Sequence, residues 1–584
     1  MENKAFGIDL GTTYSCISYV DDISGEPVVV DNSEGNNVTP SIVCFEDDET
    51  IVVGDVAKET AVVTPDATCE FVKRRMGVDT VAITYNGIDY SPEQISSLIL
   101  KKLVKDAEEA LDTQIKDVVI TCPAYFGIAE KTATENAGKM AGLNVMEIIN
   151  EPTAAALCYG SLRDVEDKTI LVYDLGGGTF DVTIIRVTPE EIVAVATDGD
   201  HQLGGKDWDT ALMNYLEDVF RDQKEFEGEF DLEAQQDLRL RAERAKQQLT
   251  GKSKTKVIVQ ADGVKASIEL TREAFDETTS SLLSQTLERT EDAIAAAKKK
   301  GVEKIDEIIL VGGSCKMPQV KSAVEKAYPG IPIKMFEPNA AVAKGAALHA
   351  EALKKGSDEL QKWKSDFEEI IEELNKNRTD EAAIDITDVM EGNVSEEDQK
   401  KIEKEMEKKG KDTAKLPFAI GGTGGQSKPQ TAGPVLRNIT SKSFGVRIVR
   451  DEEVDGQMQT VPKIANLITK QDAVPVTISQ DFVTAYDNMD NAEIVVYETD
   501  VMEDVYDVGM NEELGTAILD LPPNLPAGAP IQITFSLSTD GLLSLKGVDL
   551  TSNREITAEM KSDAILTEEE VAEQTAAVSG LKLN

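Results

Sequence analysis

Two glycine-rich turns, each introduced by an aspartate, carry the clearest chemical signal in this chain. Residues 171–186 read LVYDLGGGTFDVTIIR: an apolar run, Asp174, three glycines, Thr179, a second acid at Asp181 and another apolar run. Residues 6–20, FGIDLGTTYSCISYV, repeat the pattern around Asp9. Glycine lets the backbone approach an anion, and successive N–H groups in such a turn form a nest for oxyanions. A carboxylate just ahead of each turn could hold a hydrated divalent cation. One glycine-rich hairpin is ordinarily only a hairpin. Two copies with the same Asp-Leu-Gly lead weaken that plain reading.

The elements around these turns narrow the chemistry. β-branched and apolar residues flank each turn on both sides, which favours antiparallel strands over a strand-to-helix crossover. The chain has no G-x-x-x-x-G-K-[ST] loop, and no helix is expected directly after the glycines. SPEQ at 91–94 is a capping start for a helix over 90–111, with Ile95, Leu98, Ile99 and Leu103 at helical spacing. A strand at 118–123 and a helix at about 127–141 lead to IINEPTAAALCYG, where Pro152 sits just inside a helix start behind Glu151. After the second hairpin come a strand, the loop HQLGGKDWD, a charged helix at 231–249, a β segment at 255–270 and a helix at 272–300. The strand IDEIILVGG then runs into a third glycine turn at Gly312 and Gly313. The order hairpin, helix, strand, helix occurs twice, which predicts two related α/β lobes with a cleft between them.

Beyond residue 353 the texture changes. Leu360, Trp363, Phe367, Ile370 and Leu374 form a heptad-like stripe on an acidic helix, read as packing on a neighbour ahead of a dimerising coiled coil. A second charged helix and a Gly/Pro-rich tether, GGTGGQSKPQTAGP, follow. From Val435 short alternating strands such as FGVRIV, EIVVYE and IQITFSLS predict a small β-sandwich. LTEEEVAEQTAAVSGLKLN begins like a capped helix and then stops.

A chain of 584 residues should hold about three or four domains. Its net charge of −47 argues against nucleic acid and anionic membrane surfaces as partners. MENKAFGIDL enters a strand at once, and no apolar run approaches the length of a membrane helix. The six cysteines, none in a C-x-x-C pair, read as buried reduced thiols of a cytoplasmic protein. His201 and His349 are too few and too far apart for histidine-based chemistry and receive no role.

The parts together closely resemble the DnaK-type heat-shock chaperones of seventy kilodaltons, within the actin and sugar-kinase ATPase superfamily. The resemblance covers about 1–353 and 435–570 and rests on GIDLGTTYS, FVKRRMG, CPAYF, IINEPTAAAL, YDLGGGTFDVTI, QLGGKDWD, ERAKQQL, ILVGGSCKMP and EPNAAVAKGAA. It implies an α/β fold: a two-lobed actin-like ATPase domain (1–353), an acidic helical insert with a Gly-rich linker (354–434), a substrate-binding-like β-sandwich (435–560) and a short tail at 561–584 in place of the helical lid.

The resemblance also implies roles. Asp9 and Asp174 would hold Mg2+, mostly through water. Gly11, Thr12, Thr13 and Tyr14 from one lobe, with Gly176, Gly177, Gly178 and Thr179 from the other, would meet the phosphates of ATP or ADP. Gly204 and Gly205 would lie beside them. Lys73 would meet the γ-phosphate and the attacking water, and Glu151, Asp181 and Thr179 would complete the catalytic set. Glu243, Lys246 and Thr250 would face ribose and adenine, opposite Gly312, Gly313 and Lys316. K+ is a further candidate cation. Plain alternatives stand beside these: Lys73 in KRR as a solvated basic patch, Glu151 as a helix-start acid and Asp181 as a turn acid. In the sandwich, Phe482, Ala485, Ala492 and Ile494 fall where the peptide groove would be, or are simply core.

The sequence departs from the family pattern in several places. The stretch between Lys73 and Pro123 is shorter than in typical members. Gln247 and Lys316 stand where arginines usually stack on adenine, and a lysine lacks the planar guanidinium. Glu147 replaces the usual arginine ahead of IINEP, which argues against a standard J-domain cochaperone. The leucine-rich acidic linker is replaced by PVLRNITSKSFGV, which puts interdomain coupling in question. The resulting expectation is a slow ATP hydrolase: a lidless chaperone that takes unfolded or extended polypeptides, with a nucleotide exchange factor as a possible partner. A non-hydrolysing nucleotide-binding adaptor with a dedicated protein partner is the alternative, and a sugar or metabolite kinase fits the lobes but not the sandwich.

Overall fold

The computed structural model describes residues 4–161, 167–376, 384, 394–409, 434–454, 457–509, 511, 513–539, 541–560 and 566–584. Two compact units emerge, one of residues 1–350 with 434–584 and one of residues 351–433.

Both glycine turns close antiparallel hairpins, Ala5–Asp9 with Tyr14–Val20 and Lys168–Leu175 with Phe180–Val187. Each hairpin's first strand also pairs in parallel with a strand reached through a helical crossover. Ala5–Asp9 runs beside Asp117–Cys122 and then Asn144–Asn150; Lys168–Leu175 runs beside Glu307–Val311 and then Ile333–Met335. The two sheets therefore repeat one topology, hairpin at the centre and parallel crossovers on one side. Central strands covered by helices need apolar residues on both faces. Leu171, Val172, Tyr173 and Ile308, Ile309, Leu310 meet that need and are fully buried.

Helix Pro92–Leu111 starts on the expected capping box: Gln94 N–H donates to Ser91 Oγ at 3.2 Å and Ser91 N–H to Gln94 Oε1 at 2.9 Å. The helix expected over 272–300 is two helices, Arg272–Thr278 and Ser280–Lys299. The break falls at Thr279, whose Oγ1 donates back to Phe275 O at 2.8 Å and competes with the next helical turn.

A five-stranded and a four-stranded antiparallel sheet make the sandwich, with Phe444, Ile494, Val496, Phe535 and Leu545 in its core. The strand Val435–Ile439 that precedes it joins the second lobe instead, pairing in parallel with Glu191–Asp200. The sandwich rests on the lobes. Ser441 Oγ donates to Phe126 O at 3.0 Å, Ile128 N–H to Glu498 Oε1 at 3.3 Å and Thr153 Oγ1 to Asn438 Oδ1 at 3.0 Å. Lys300 donates to Gln471 O, and Ile128 of the first lobe packs into the sandwich core.

In the second unit Ile370, Ile371, Ile384, Ile402 and Met406 form a small core. Ile370 and Leu374 of the expected stripe pack there; the side chains of Leu360, Trp363 and Phe367, and the tether at 421–433, lie outside the described residues. All six cysteines are free and buried. Among the described residues no helix is long and apolar enough to cross a membrane.

Candidate functional site

Both hairpin turns open into one cleft of about 530 Å³ between the lobes, a size that suits a small-molecule ligand. Asp9, Gly11, Thr12, Thr13, Tyr14, Lys73, Glu151, Asp174, Gly176, Gly177, Thr179, Gly205, Glu243, Lys246, Thr250, Gly312, Gly313 and Lys316 all line it. Gly178 and Gly204 sit behind that wall against each other: a Cβ on Gly204 would lie 2.5 Å from the Gly178 carbonyl carbon.

The second turn is fixed by neighbouring loops. Gly205 N–H donates to Gly176 O at 3.0 Å, Lys206 N–H to Gly177 O at 2.8 Å and Ser314 Oγ to Gly176 O at 2.8 Å. The two turns touch: a Cβ on Gly177 would lie 1.8 Å from Thr13 Oγ1, and one on Gly178 only 2.2 Å from Thr12 Cγ2. Gly312 has φ +84°, and a Cβ there would be 2.5 Å from Asp174 Oδ1. Only glycine fits that combination of hand and space.

Lys73 sits on a short 3-10 turn, Val72–Arg75, and its buried Nζ donates to Glu151 Oε1. The KRR run is no solvated patch. Arg74 donates to Gly178 O at 2.7 Å and pairs with Asp207 across the cleft, and Arg75 is tied to the backbone of Val81 and Ala82. Burial opposes the Lys73 charge, but Glu151 and Asp9 together hold its pKa above the ordinary lysine value. Burial, reinforced by Glu151, pushes Asp9 up to about 7 and moves Asp174 and Asp181 well above the carboxylate range.

Asp174 and Asp181 are register partners on the second hairpin. Asp181 Oδ1 accepts from Ala124 N–H at 3.0 Å, while its buried Oδ2 has no hydrogen-bond partner. Asp9, Glu151 and Asp174 line the cleft with Lys73, while Asp181 is buried just behind that wall and still feels the lysine's charge. Among the described residues no group of three or more His, Cys, Asp or Glu side chains is placed to ligate a metal directly, so the hard oxygen donors Asp9 and Asp174 fit a Mg2+ held through its own waters.

At the other end, Lys58 bridges to Glu243 at 2.6 Å and donates to Tyr14 Oη at 2.7 Å, which in turn donates to Glu243 Oε1 at 2.9 Å. Lys58 thus holds Glu243 below its ordinary range despite burial. Lys246 is already engaged, with Asp209 at 2.7 Å and Gly205 O at 2.8 Å. Gln247 and Lys316 line this end, and burial lowers the Lys316 pKa. Sequence reasoning missed Lys58, Lys206, Asp209 and Arg239 on the cleft wall. Lys206 and Asp209 lie in the QLGGKDWD motif, which was read for its glycines alone, whereas Lys58 and Arg239 belong to no glycine turn or acid pair, so no local pattern flags them.

Of the sandwich residues, Ile494 is buried in the core and Ala485 is exposed; Phe482 and Ala492 pack partly buried at the core's edge. His349 Nε2 lies 3.0 Å from Glu147 Oε2, a polar pair on neighbouring elements of the first lobe.

Comparison with known proteins agrees with this layout. The family model described as "Hsp70 protein" matches residues 5–364 and 435–579. "Chaperone protein DnaK" from two strains of Halobacterium salinarum is 33% identical over 581 residues, spanning 98% of this chain and 77% of each relative. The matched residues carry both glycine hairpins, the cleft between the lobes and the sandwich. The chain belongs to the Hsp70 family.

Proposed function

We propose that this protein is an ATP-dependent, DnaK-like chaperone that binds and slowly hydrolyses Mg–ATP in the interlobe cleft and holds unfolded polypeptide segments in its sandwich. One observation carries the reading: two glycine turns, one buried lysine and three acids, Asp9, Glu151 and Asp174, converge on a single cleft from segments far apart in sequence, with Asp181 buried just behind them. Phosphoryl transfer asks mainly for positioning and charge neutralisation. Backbone N–H groups and hydroxyls of the 11–14 and 176–179 turns cradle the β- and γ-phosphates. Lys73 Nζ neutralises the γ-phosphate, and Glu151 keeps that ammonium aimed. Asp181, anchored through Oδ1, leaves Oδ2 to orient the attacking water. Bound Mg2+, held by Asp9 and Asp174 through water, would supply further charge neutralisation.

Tyr14, Glu243, Lys246 and Thr250 face the nucleoside end, opposite Gly312, Gly313 and Lys316. Phe482, Ala485, Ala492 and Ile494 would border the peptide site, with Ile494 acting from beneath. The same reading places the protein in the cytoplasm, with unfolded chains as clients and a nucleotide exchange factor among its partners. Phosphate release with and without an unfolded peptide tests it. Magnesium-dependent turnover that peptide accelerates is the expected result. Nucleotide binding without any phosphate release would favour the non-hydrolysing adaptor instead.

A further inference from the structure

The sandwich's last strand ends at Met560, and residues 566–584 lie against the first lobe. Helix Glu568–Ser579 begins on its own capping box, Thr567 with Glu570, and lies against the first lobe. Val578 is fully buried within that lobe's core, and Leu581 and Leu583 pack against the same core. Ser91 Oγ donates to Gln574 Oε1 at 2.6 Å, and Gln94 Nε2 donates to Gln574 O at 3.2 Å. These are the two capping-box residues of helix Pro92–Leu111.

The strand Lys582–Leu583 then adds in parallel to Thr50–Val53, on the edge left open by the partner strand Ile42–Phe45. Lys582 N–H donates to Glu49 O at 2.7 Å, Asn584 N–H to Ile51 O at 3.0 Å and Lys105 Nζ to Leu583 O at 3.0 Å. An open sheet edge is a template for a further strand, and here the chain itself fills it.

The contact leads towards Lys73. Helix Pro92–Leu111 packs on the 3-10 turn that carries Lys73, and Ser96 Oγ donates to the buried Met76 Sδ just past that turn at 3.3 Å. We propose that residues 567–584 are an intramolecular ligand of the first lobe, a helix-then-strand strap that seats helix Pro92–Leu111 and so positions Lys73. Gln574 and Val578 are its anchors. With Val435–Ile439 on the second lobe's sheet, the strap tethers the sandwich to both lobes. The effect on Lys73 rests on the hydrolytic reading above; the strap itself does not.

The test uses the full chain carrying Val578→Asp, followed by hydrogen exchange at 50–53, ATP turnover and titration with a labelled synthetic peptide of residues 566–584. A buried acid should expel the strap. Exchange at 50–53 should rise at least about tenfold. Turnover should fall several-fold in kcat with KM for ATP unchanged, and the peptide should bind and restore both protection and kcat. Gln574→Ala, which keeps the packing, should shift exchange and kcat in the same direction by less, and it decides the matter if the aspartate variant does not fold.

Unchanged exchange at 50–53, or a peptide that neither binds nor restores protection, overturns the strap. So does a dimer whose strap comes from a second copy. A kcat that holds while exchange rises overturns the link to Lys73. If the unsubstituted protein releases no phosphate, the hydrolytic reading fails, and exchange and peptide binding still decide the strap.

Discussion

Lys73 and Glu151, 78 residues apart in sequence, form a buried ion pair at the floor of the cleft. Lys73 is the cation set against Asp9, Glu151, Asp174 and Asp181. Removing the lysine while keeping the acids should cost about a hundredfold or more in turnover, the scale of a lost transition-state contact. Lys73→Ala is expected to retain nucleotide in a binding assay and to lose phosphate release.

The turn-to-turn contact is equally specific. Gly178→Ala places a methyl 2.2 Å from Thr12 Cγ2, so the two glycine turns must part. Unliganded protein should fold, but the gain in thermal stability from ADP should shrink. For the unsubstituted chain the expected gain is about 2.7 kcal/mol at a hundred times the dissociation constant. Thermal melts with and without ADP measure the difference.

At its end of the cleft, on the proposed reading, Lys316 offers a point charge where a planar cation could stack on a base. Lys316→Arg is expected to tighten adenine nucleotide binding by about threefold to fivefold, worth roughly 0.5–1 kcal/mol. Competition between ATP and GTP for the cleft reads whether the gain is specific to the base.

The sandwich contact should respond to pH. Glu498 lies at the start of helix Ile128–Met140, where burial, then Glu130, raises its pKa from 4.5 to about 7 against the pull of Lys442. A carboxyl raised in the docked state binds a proton there that it gives up when free. Docking is therefore unpenalised below pH 4.5 and weakens progressively as pH rises to about 7. Lys131 and the Lys442–Asp500 pair face the same spot. Glu498→Gln should stabilise the protein at pH 8 by up to about 3 kcal/mol, with the gain shrinking as pH falls and vanishing below pH 4.5. Melting curves of both proteins across that range give the difference directly.

The strand Val435–Ile439 ends on Ile439, which is buried beside the sandwich contact. Ile439→Ala should cost about 2–4 kcal/mol locally, the scale of an aliphatic truncation in a core. Faster protease cleavage at 435–440 and faster hydrogen exchange along Glu191–Asp200 are the expected readouts.

Much of this was written locally. Alternating and continuous apolar runs set the strands, and Ser91 with Gln94 set a helix start. Asp-Leu-Gly before each turn marked the two hairpins, because turn chemistry and side-chain period act over a few residues. The duplicated sheet order follows from that repetition. The same locality explains what was not legible. Lys58 meets Tyr14 and Glu243 only in the assembled fold, and no spacing announces it. Val435 read as the first residue of the sandwich, yet its strand belongs to the second lobe's sheet, since an edge strand is assigned by its partner and not by its own pattern.

By itself the sequence determined the lobes, the two glycine hairpins, the sandwich and the family, because each rests on short-range patterning or on motifs kept in order. Tertiary structure alone decided the rest. It buried Lys73 among four acids and set the sandwich against helix Ile128–Met140. It also carried Gln574 across to Ser91, 483 residues away. Such contacts are fixed by which surfaces fit once the elements exist, and a linear chain carries no local record of that fit.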